Sequence, residues 1–574
     1  MKIISKTSFY SLVAAGIIGF MPTGHAQAYR RIAPQSLPVS PPVKLSVPKA
    51  QSNLPSSHKV ILNKITGVIV TDPSHLVKSG VLPAATGPKR VLISDAPHGN
   101  PDLIKALQPY VGKTMTFDRL RAMTDVVIDW YRRHGRPFVD VTIPPQNINS
   151  GVVQISVLEY RLGKVTVTGN KWFSKSAIRD AVGLHPGQTM TTNELQDDLN
   201  WANQNAFRTV NAVFSPGSVP GTTDVDLKTK DHFPLRVYAG YDNEGVKSLG
   251  VNEWNIGFNW GNAFDLGQTL SFQMTRSFNG RYVADSISDT IPLPWRDQIL
   301  IFGSYEQEKP NIGPFFRDTG HSGQASIRYV HKIRAINGDI QVGYDFKTTN
   351  SNLEFGGFKI FNSTAQIDQF PIIVEGNEYD RFGSTSIRNK FVISPGGLQS
   401  GNTNNAFAAL VPYAKARYVY DRISLTRIDP LPHGFDLVTR ATLQDASSNL
   451  LDSEELAGGG PGSVIGYQSS TALGSKGLLA AVELRTPVFH PHGLFGLKTG
   501  AFQADAFWNY ADLHQIQDVP NTPKVVDLAS VGVGLNYQYN STIDAKFDVG
   551  WQLRTAPGFI KKGGYGEFSI TVGF

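Results

Sequence analysis

Glu567-Phe568-Ser569-Ile570-Thr571-Val572-Gly573-Phe574 ends the chain. Phe568, Ile570, Val572 and Phe574 alternate with Glu567, Ser569, Thr571 and Gly573. Successive side chains on a strand point to opposite faces, so this stretch predicts a strand with one apolar and one polar face. Chain ends usually fray, yet this one stops on an aromatic inside the alternating pattern. A last strand that must close against a first strand accounts for that. The pattern recurs upstream. Ile543, Ala545, Phe547, Val549, Trp551 and Leu553 alternate with Asp544, Lys546, Asp548, Gly550 and Gln552. Val531, Val533, Leu535, Tyr537 and Tyr539 alternate with Gly532, Gly534, Asn536 and Gln538, and Leu235, Val237, Ala239 and Tyr241 with Arg236, Tyr238, Gly240 and Asp242. A charged face opposite an apolar one suits a strand between a water-filled lumen and lipid.

The N-terminus agrees with export. Lys2 and Lys6 precede an apolar run from Phe9 to Phe20, broken by Pro22, and Ala26-Gln27-Ala28 supplies a small-x-small cleavage site. Residues 1–28 therefore predict a signal peptide removed after Ala28. The run is too short for an anchor, which needs about 20 apolar residues. No later stretch has such a run, so no transmembrane helix is expected, and a spanning structure must be a closed barrel. A membrane strand takes about 9–11 residues, and a repeat of about 21 divides residues 232–574 into roughly 16 strands, within a bracket of about 14–18. Trp254, Trp260, Trp295, Trp508 and Trp551 fall near strand ends, where interfacial girdles occur. A terminal Phe on an amphipathic strand resembles the barrel-targeting signal of Gram-negative outer-membrane proteins, which gives Phe574 a role in assembly.

Composition excludes several functions. The 574 residues contain no Cys, so disulfides, thiolate metal sites and Cys nucleophiles are ruled out. The net charge of +7 is spread out, with no basic block carrying interleaved aromatics, so nucleic-acid binding has little support. The 55 Gly and 20 Tyr suit alternating strands better than helices.

Residues 29–58 carry Pro34, Pro38, Pro41, Pro42, Pro48 and Pro55, which argue against a stable helix and predict a mobile periplasmic linker. Residues 59–231 read as an α+β region built from a repeat. The first unit, 59–160, has a strand from Val60 to Val70 and helices from Pro101 to Tyr110 and Thr116 to Arg133. Strands from Pro137 to Ile143 and Val152 to Val157 close it. Leu120, Met123, Val126, Val127 and Trp130 recur at helical spacing, and Thr116 or Asp118 can cap that helix. The second unit, 161–231, repeats the order with a strand at Lys164–Thr168 and helices at Ser174–Val182 and Thr192–Ala206. Its last strands are Asn211–Phe214 and Asp224–Leu227.

A β-α-α-β-β order twice in tandem resembles two POTRA domains. The turns Ile143-Pro144-Pro145-Gln146 and Pro220-Gly221-Thr222-Thr223-Asp224 are similar to those of two-partner secretion transporters, the haemolysin secretion/activation family. The stretch Ser453-Glu454-Glu455-Leu456-Ala457-Gly458-Gly459-Gly460-Pro461-Gly462-Ser463-Val464-Ile465-Gly466-Tyr467 resembles that family's sixth extracellular loop. There the loop folds into the lumen and ends on Val-Arg-Gly-Tyr. Val464, Gly466 and Tyr467 match, and Ile465 replaces the Arg. The family's Arg pairs with an Asp of a Phe-x-Asp-x-Gly pattern on the inner wall. The counterpart here is Gln503-Ala504-Asp505-Ala506-Phe507, in which only the Asp remains. Alternation independently turns Asp505 inward, with Phe502, Ala504, Ala506 and Trp508 on the opposite, apolar face. Without Arg at 465 the lock is expected to be weaker or to use Lys498 or Arg485. The family can also hold a plug helix in the stretch read here as a linker.

The resemblance implies an outer-membrane β-barrel of about 16 antiparallel strands, preceded by two periplasmic POTRA domains. It implies a pore that exports an unfolded exoprotein without nucleotide hydrolysis, the cargo being large, β-helical and adhesin- or haemolysin-like. The barrel-assembly machinery would insert the chain, which is expected to be monomeric in outer-membrane lipid. An extended partner can add as a strand at a sheet edge, and the expected contact is Pro137, Val139, Val141 and Ile143 with Arg119 and Asp125 of the neighbouring helix. A barrel-assembly insertase is the alternative, though such proteins usually carry three or more POTRA units. A passive porin is the third reading and would not need the soluble repeat. No enzyme, cofactor or metal is expected. Pro461 spoils a G-x-S-x-G reading, no glycine-rich loop ends in G-K-[ST], and His490 with His492 lacks a third ligand.

Overall fold

The computed structural model describes residues 27–37, 57–76, 90–311, 316–355, 358–491, 500–519, 522–555, 557 and 560–574. All but the last two residues of the expected signal peptide lie outside them, as do His492 and Lys498. The chain forms two compact units, one of residues 1–38 with 234–574 and one of residues 39–233.

The first unit is a closed antiparallel barrel of sixteen strands, from Leu235–Asp242 to Gly564–Gly573. Its first and last strands close it, with Tyr238 opposite Gly573 and Asp242 opposite Ser569. The terminal residue takes part. The Phe574 amide donates to the Val237 carbonyl at 2.9 Å, and the Val237 amide donates to the Phe574 carbonyl at 3.0 Å. Closure leaves no unpaired sheet edge, the condition for strands in lipid. The faces are inverted relative to a soluble sheet. Val237, Ile256, Val342, Leu443, Val533, Phe547 and Trp551 are exposed on the outside, while Asn259, Gln273, Asp345, Lys347, Gln369, Lys390 and Asp548 are buried. One end of the barrel has short turns, such as residues 264–267, 334–337 and 380–383, and the other has long connections at 395–417 and 447–475. That asymmetry is the one outer-membrane barrels show between periplasmic turns and extracellular loops.

The linker expectation is corrected at its start. Gln27–Ile32 is an α-helix, and Tyr29 and Ile32 are buried against the barrel's inner wall. The prolines do not forbid it, because the first of them, Pro34, follows the helix.

In the second unit, the expected strand Val60–Val70 splits in two. Val60–Leu62 pairs with Met115–Thr116, and Gly67–Thr71 enters a four-stranded sheet. There Gly67–Thr71 lies parallel to both Val91–Ile93 and Val152–Glu159, and Val139–Thr142 forms an edge. The sequence reading lacked the Val91–Ile93 strand. Phe117–Arg133 packs Leu120, Met123, Val127 and Trp130 into the core under this sheet. Thr116 is its N-cap, accepting from the Arg119 amide at 3.2 Å. The second sheet has the order Arg161–Thr168, Thr222–Asp231, Arg208–Pro216. Ser174 caps the helix Lys175–Val182, and Thr191 with Glu194 forms a capping box on Thr192–Ala202.

Candidate functional site: a lumen filled by the chain itself

Two segments of the chain occupy the polar face of the barrel wall. The helix Gln27–Ile32 lies against strands Glu253–Ala263, Gln268–Ser277, Tyr282–Pro292 and Gln298–Glu308. Arg31 forms an ion pair with Glu253, itself buried, and its guanidinium lies 4.8 Å from the centroid of the Tyr282 ring. The Tyr29 hydroxyl donates to the Ile287 carbonyl at 3.1 Å, and its ring meets Phe302 at 4.7 Å. The carbonyl of Ile32 accepts from Ser286 at 2.5 Å, and the Gln35 amide donates to the Tyr238 hydroxyl at 2.9 Å. Wall side chains thus satisfy the main-chain groups that a short helix leaves unpaired at its end.

The second segment is the connection 447–475. Leu456–Gly458 pairs antiparallel with Ala472–Gly474, making a narrow hairpin, and Val464, Ile465 and Tyr467 at its tip are buried. Gly466, at φ +96, lies against the wall at Gly550, and a Cβ on Gly550 would meet the Ile465 carbonyl oxygen at 2.6 Å. Two glycines let the two backbones touch. The Tyr467 hydroxyl donates to the Arg554 carbonyl at 2.6 Å, and Gln552 Nε2 donates to the Gly466 carbonyl at 2.8 Å. The Ile465 amide donates to Asn509 Oδ1 at 3.3 Å.

Strand register fixes where Asp505 lies relative to that tip. Across strands Ala501–His514, Val525–Tyr539 and Ile543–Gln552, one inward row is Asn509, Ser530 and Gln552. The next is Phe507, Gly532 and Gly550, and the next Asp505, Gly534 and Asp548. The tip bonds to Asn509 and Gln552 of the first row and packs on Gly550 of the second. Asp505 is one row deeper, about 7 Å along the strand. It faces inward and is 7% exposed, whereas Trp508 faces outward. Its carboxylate accepts from Asn536 at 3.0 Å. Phe507, also 7% exposed, belongs to the row between Asp505 and Asn509, and its ring fills the space that Gly532 leaves open. Ile465 and Asp505 are therefore not brought together by any hydrogen bond or ion pair. Arg485 is opposite Asp505 in register, but its Nε donates to Glu483 at 2.5 Å.

The loop's root is held elsewhere. Glu454 forms an ion pair with Lys347, and its carboxylate accepts from the Tyr420 hydroxyl at 3.0 Å and from Gln369 Nε2 at 3.2 Å. Sequence reasoning quoted Glu454 inside the loop and gave it no role. Arg31, Glu253, Lys347 and Tyr420 were missed too. Inward-facing charges on predicted strands could have flagged Lys347, but its partner is 107 residues away in sequence, and only barrel closure brings them together.

In the soluble unit, Pro137 and Val141 are buried, and Val139 and Ile143 pack against the core. Their side chains are committed inward, so the edge strand offers its main chain. Arg119 donates to the Thr114 carbonyl, and Asp125 is half-buried on the same helix.

The family model for the haemolysin secretion/activation proteins ShlB, FhaC and HecB matches residues 221–537. A ShlB-type POTRA model matches residues 89–159, and the surface antigen variable number repeat, a second POTRA model, matches 160–230. The outer membrane transporter CdiB of Dickeya dadantii is 23% identical over 188 residues, 32% of this chain and 33% of its own length. CdiB of Escherichia coli O6:K15:H31 is 24% identical over 38% of each chain. The chain thus spans little more than a third of these relatives. The heme/hemopexin transporter HuxB of Haemophilus influenzae is 24% identical over 76% of this chain and 78% of its own. Among solved structures, CdiB from Escherichia coli aligns over 100% of both chains with a TM-score of 0.67 at 16% identity, which speaks to the fold. BamA from Haemophilus ducreyi lacking POTRA domains 1–3 aligns over 83% of this chain and 97% of that shortened chain with a TM-score of 0.52 at 14% identity.

Proposed function

The chain belongs to the haemolysin secretion/activation protein family, and from that premise we propose that it exports an unfolded exoprotein partner to the cell surface. Its barrel is an outer-membrane barrel with periplasmic POTRA domains, and the family is a transporter channel rather than an enzyme. The observation that carries the proposal is the lumen. Its polar wall is satisfied by two segments of the chain's own backbone and side chains, residues 29–35, which stay after cleavage at Ala28, and the connection 447–475. A wall that binds polypeptide in helical and hairpin forms suits a polypeptide passenger, and the two segments must give way to admit one. No nucleotide takes part in this reading, and passage draws on binding in the periplasm and folding outside. The partner is read as a large β-helical protein of the adhesin or haemolysin kind. It first adds as a strand to the edge Val139–Thr142, where main-chain bonds give affinity and the committed side chains leave sequence choice open.

The test is a deletion of residues 59–231 in cells that express the chain with a secreted protein encoded beside it. The expected result is a heat-modifiable barrel in the outer membrane and no partner at the surface. Export at the full rate would favour the passive pore. Loss of unrelated barrels when the gene is removed would favour the insertase.

A further inference from the structure

Glu454 sits at the loop's root and is 1% exposed. Besides the bonds to its carboxylate, its main-chain carbonyl accepts from Arg422 Nη2 at 3.0 Å and Gln444 Nε2 at 3.2 Å. The groups that hold it are themselves held. Gln369 accepts from the Tyr418 hydroxyl at 2.7 Å and donates to Asp345 at 3.0 Å. Asp345 is paired with Arg328 at 2.5 Å, and Lys390 donates to the Tyr420 hydroxyl at 2.8 Å. Among the described residues, the wall therefore brings Arg328, Lys347, Lys390 and Arg422 into this cluster against Asp345 alone. The second carboxylate comes from the loop. Taking it away leaves buried cations without a counter-charge, which is far costlier than losing a surface pair. The tip, by contrast, is held through neutral hydrogen bonds and packing on another part of the wall.

We propose that Glu454 is the positioning residue that keeps the connection 447–475 folded into the lumen, an anionic latch at the loop's root. The proposal rests on the reading of that connection as the segment a passenger must displace. Opening the pore then means withdrawing Glu454 from Lys347, Tyr420 and Gln369, while the tip follows.

The test is single-channel recording of the purified full chain in planar bilayers, with no partner present. Glu454→Gln is expected to make large openings roughly tenfold more frequent, because it unbalances buried charge. Glu454→Gln with Lys347→Gln restores the balance and is expected to return most of the way to wild type, as a pairwise coupling should. Glu454→Asp keeps the charge and shortens the reach, and falls between. Heat-modifiability on gels reports folding of each variant. Wild-type traces from Glu454→Gln, or a double variant as open as the single one, would overturn the latch. If Glu454→Gln does not fold, the Asp variant alone decides, and wild-type traces from it overturn the latch. Because the recording needs no passenger, a chain that opens as described yet exports nothing in cells would sink the transport reading and leave the latch standing.

Discussion

Gly466 and Gly550 set how closely the loop tip approaches the wall, because each leaves out the Cβ that the other backbone would meet. Gly550→Val should push the tip away at a cost of about 1–3 kcal/mol, the usual range for overpacking. More frequent openings in single-channel recordings would report it, and unchanged traces would place the tip elsewhere. Ile465 carries a second expectation. The resemblance suggested that Ile465→Arg would reach Asp505, but Phe507 occupies the row between them. Ile465→Arg alone should therefore leave the traces unchanged. Ile465→Arg with Phe507→Gly should quieten them, since a shielded Arg–carboxylate pair gains both charge and fork geometry. Adding Asp505→Asn should cancel that gain. Quietening by Ile465→Arg alone would mean that Phe507 does not bar the way.

The edge strand Val139–Thr142 and the end of Thr222–Asp231 carry separate expectations. Val139→Pro removes a main-chain donor at a sheet edge where Pro is otherwise tolerated. Export should fall severalfold while the barrel still assembles, and quantifying surface-exposed partner against heat-modifiable barrel checks both. Undiminished export would remove this strand from the binding site. Asp231 ties down the turn before Lys175–Val182. Its carboxylate accepts from the amides of Lys171, Trp172 and Phe173 at 2.9, 2.7 and 2.9 Å. Burial raises its pKa, and these hydrogen bonds outweigh that effect, so the carboxyl titrates below its ordinary value. A carboxyl lowered in the folded state stabilises above its unfolded pKa, near 3.9, and that contribution fades as pH falls through the folded value. Hydrogen exchange of residues 171–173, corrected for intrinsic rate, should show protection at neutral pH that declines below about pH 4. Asp231→Ala should show weak protection throughout, and pH-independent protection in the native chain would refute the tie.

Barrel closure ends on Phe574, whose amide and carbonyl both bond to Val237. Deleting Phe574 removes two closing hydrogen bonds as well as the terminal aromatic. The amount of heat-modifiable barrel in the outer membrane should fall, while the conductance of barrels that do assemble should match the native chain. Normal barrel levels after the deletion would separate closure from assembly.

Much of this architecture was legible because a strand's two faces are written in adjacent residues. The alternation from Phe568 to Phe574 and from Ile543 to Leu553 gave the lipid and lumen faces. The spacing of Leu120 to Trp130 gave the core helix of the soluble unit. Period and length are local properties, so the chain alone determines them. The split of Val60–Val70, the parallel partners of Gly67–Thr71 and the docking of Gln27–Ile32 were not legible, because each depends on residues far along the chain. The same holds for the site. Alternation turned Asp505 inward, but register placed it one row below the tip and put Phe507 between. Glu454 and Lys347 carry no shared local signal, since their pairing exists only after sixteen strands have closed and brought an inward-folded loop against a wall whose cations in this cluster outnumber its own carboxylate, Asp345.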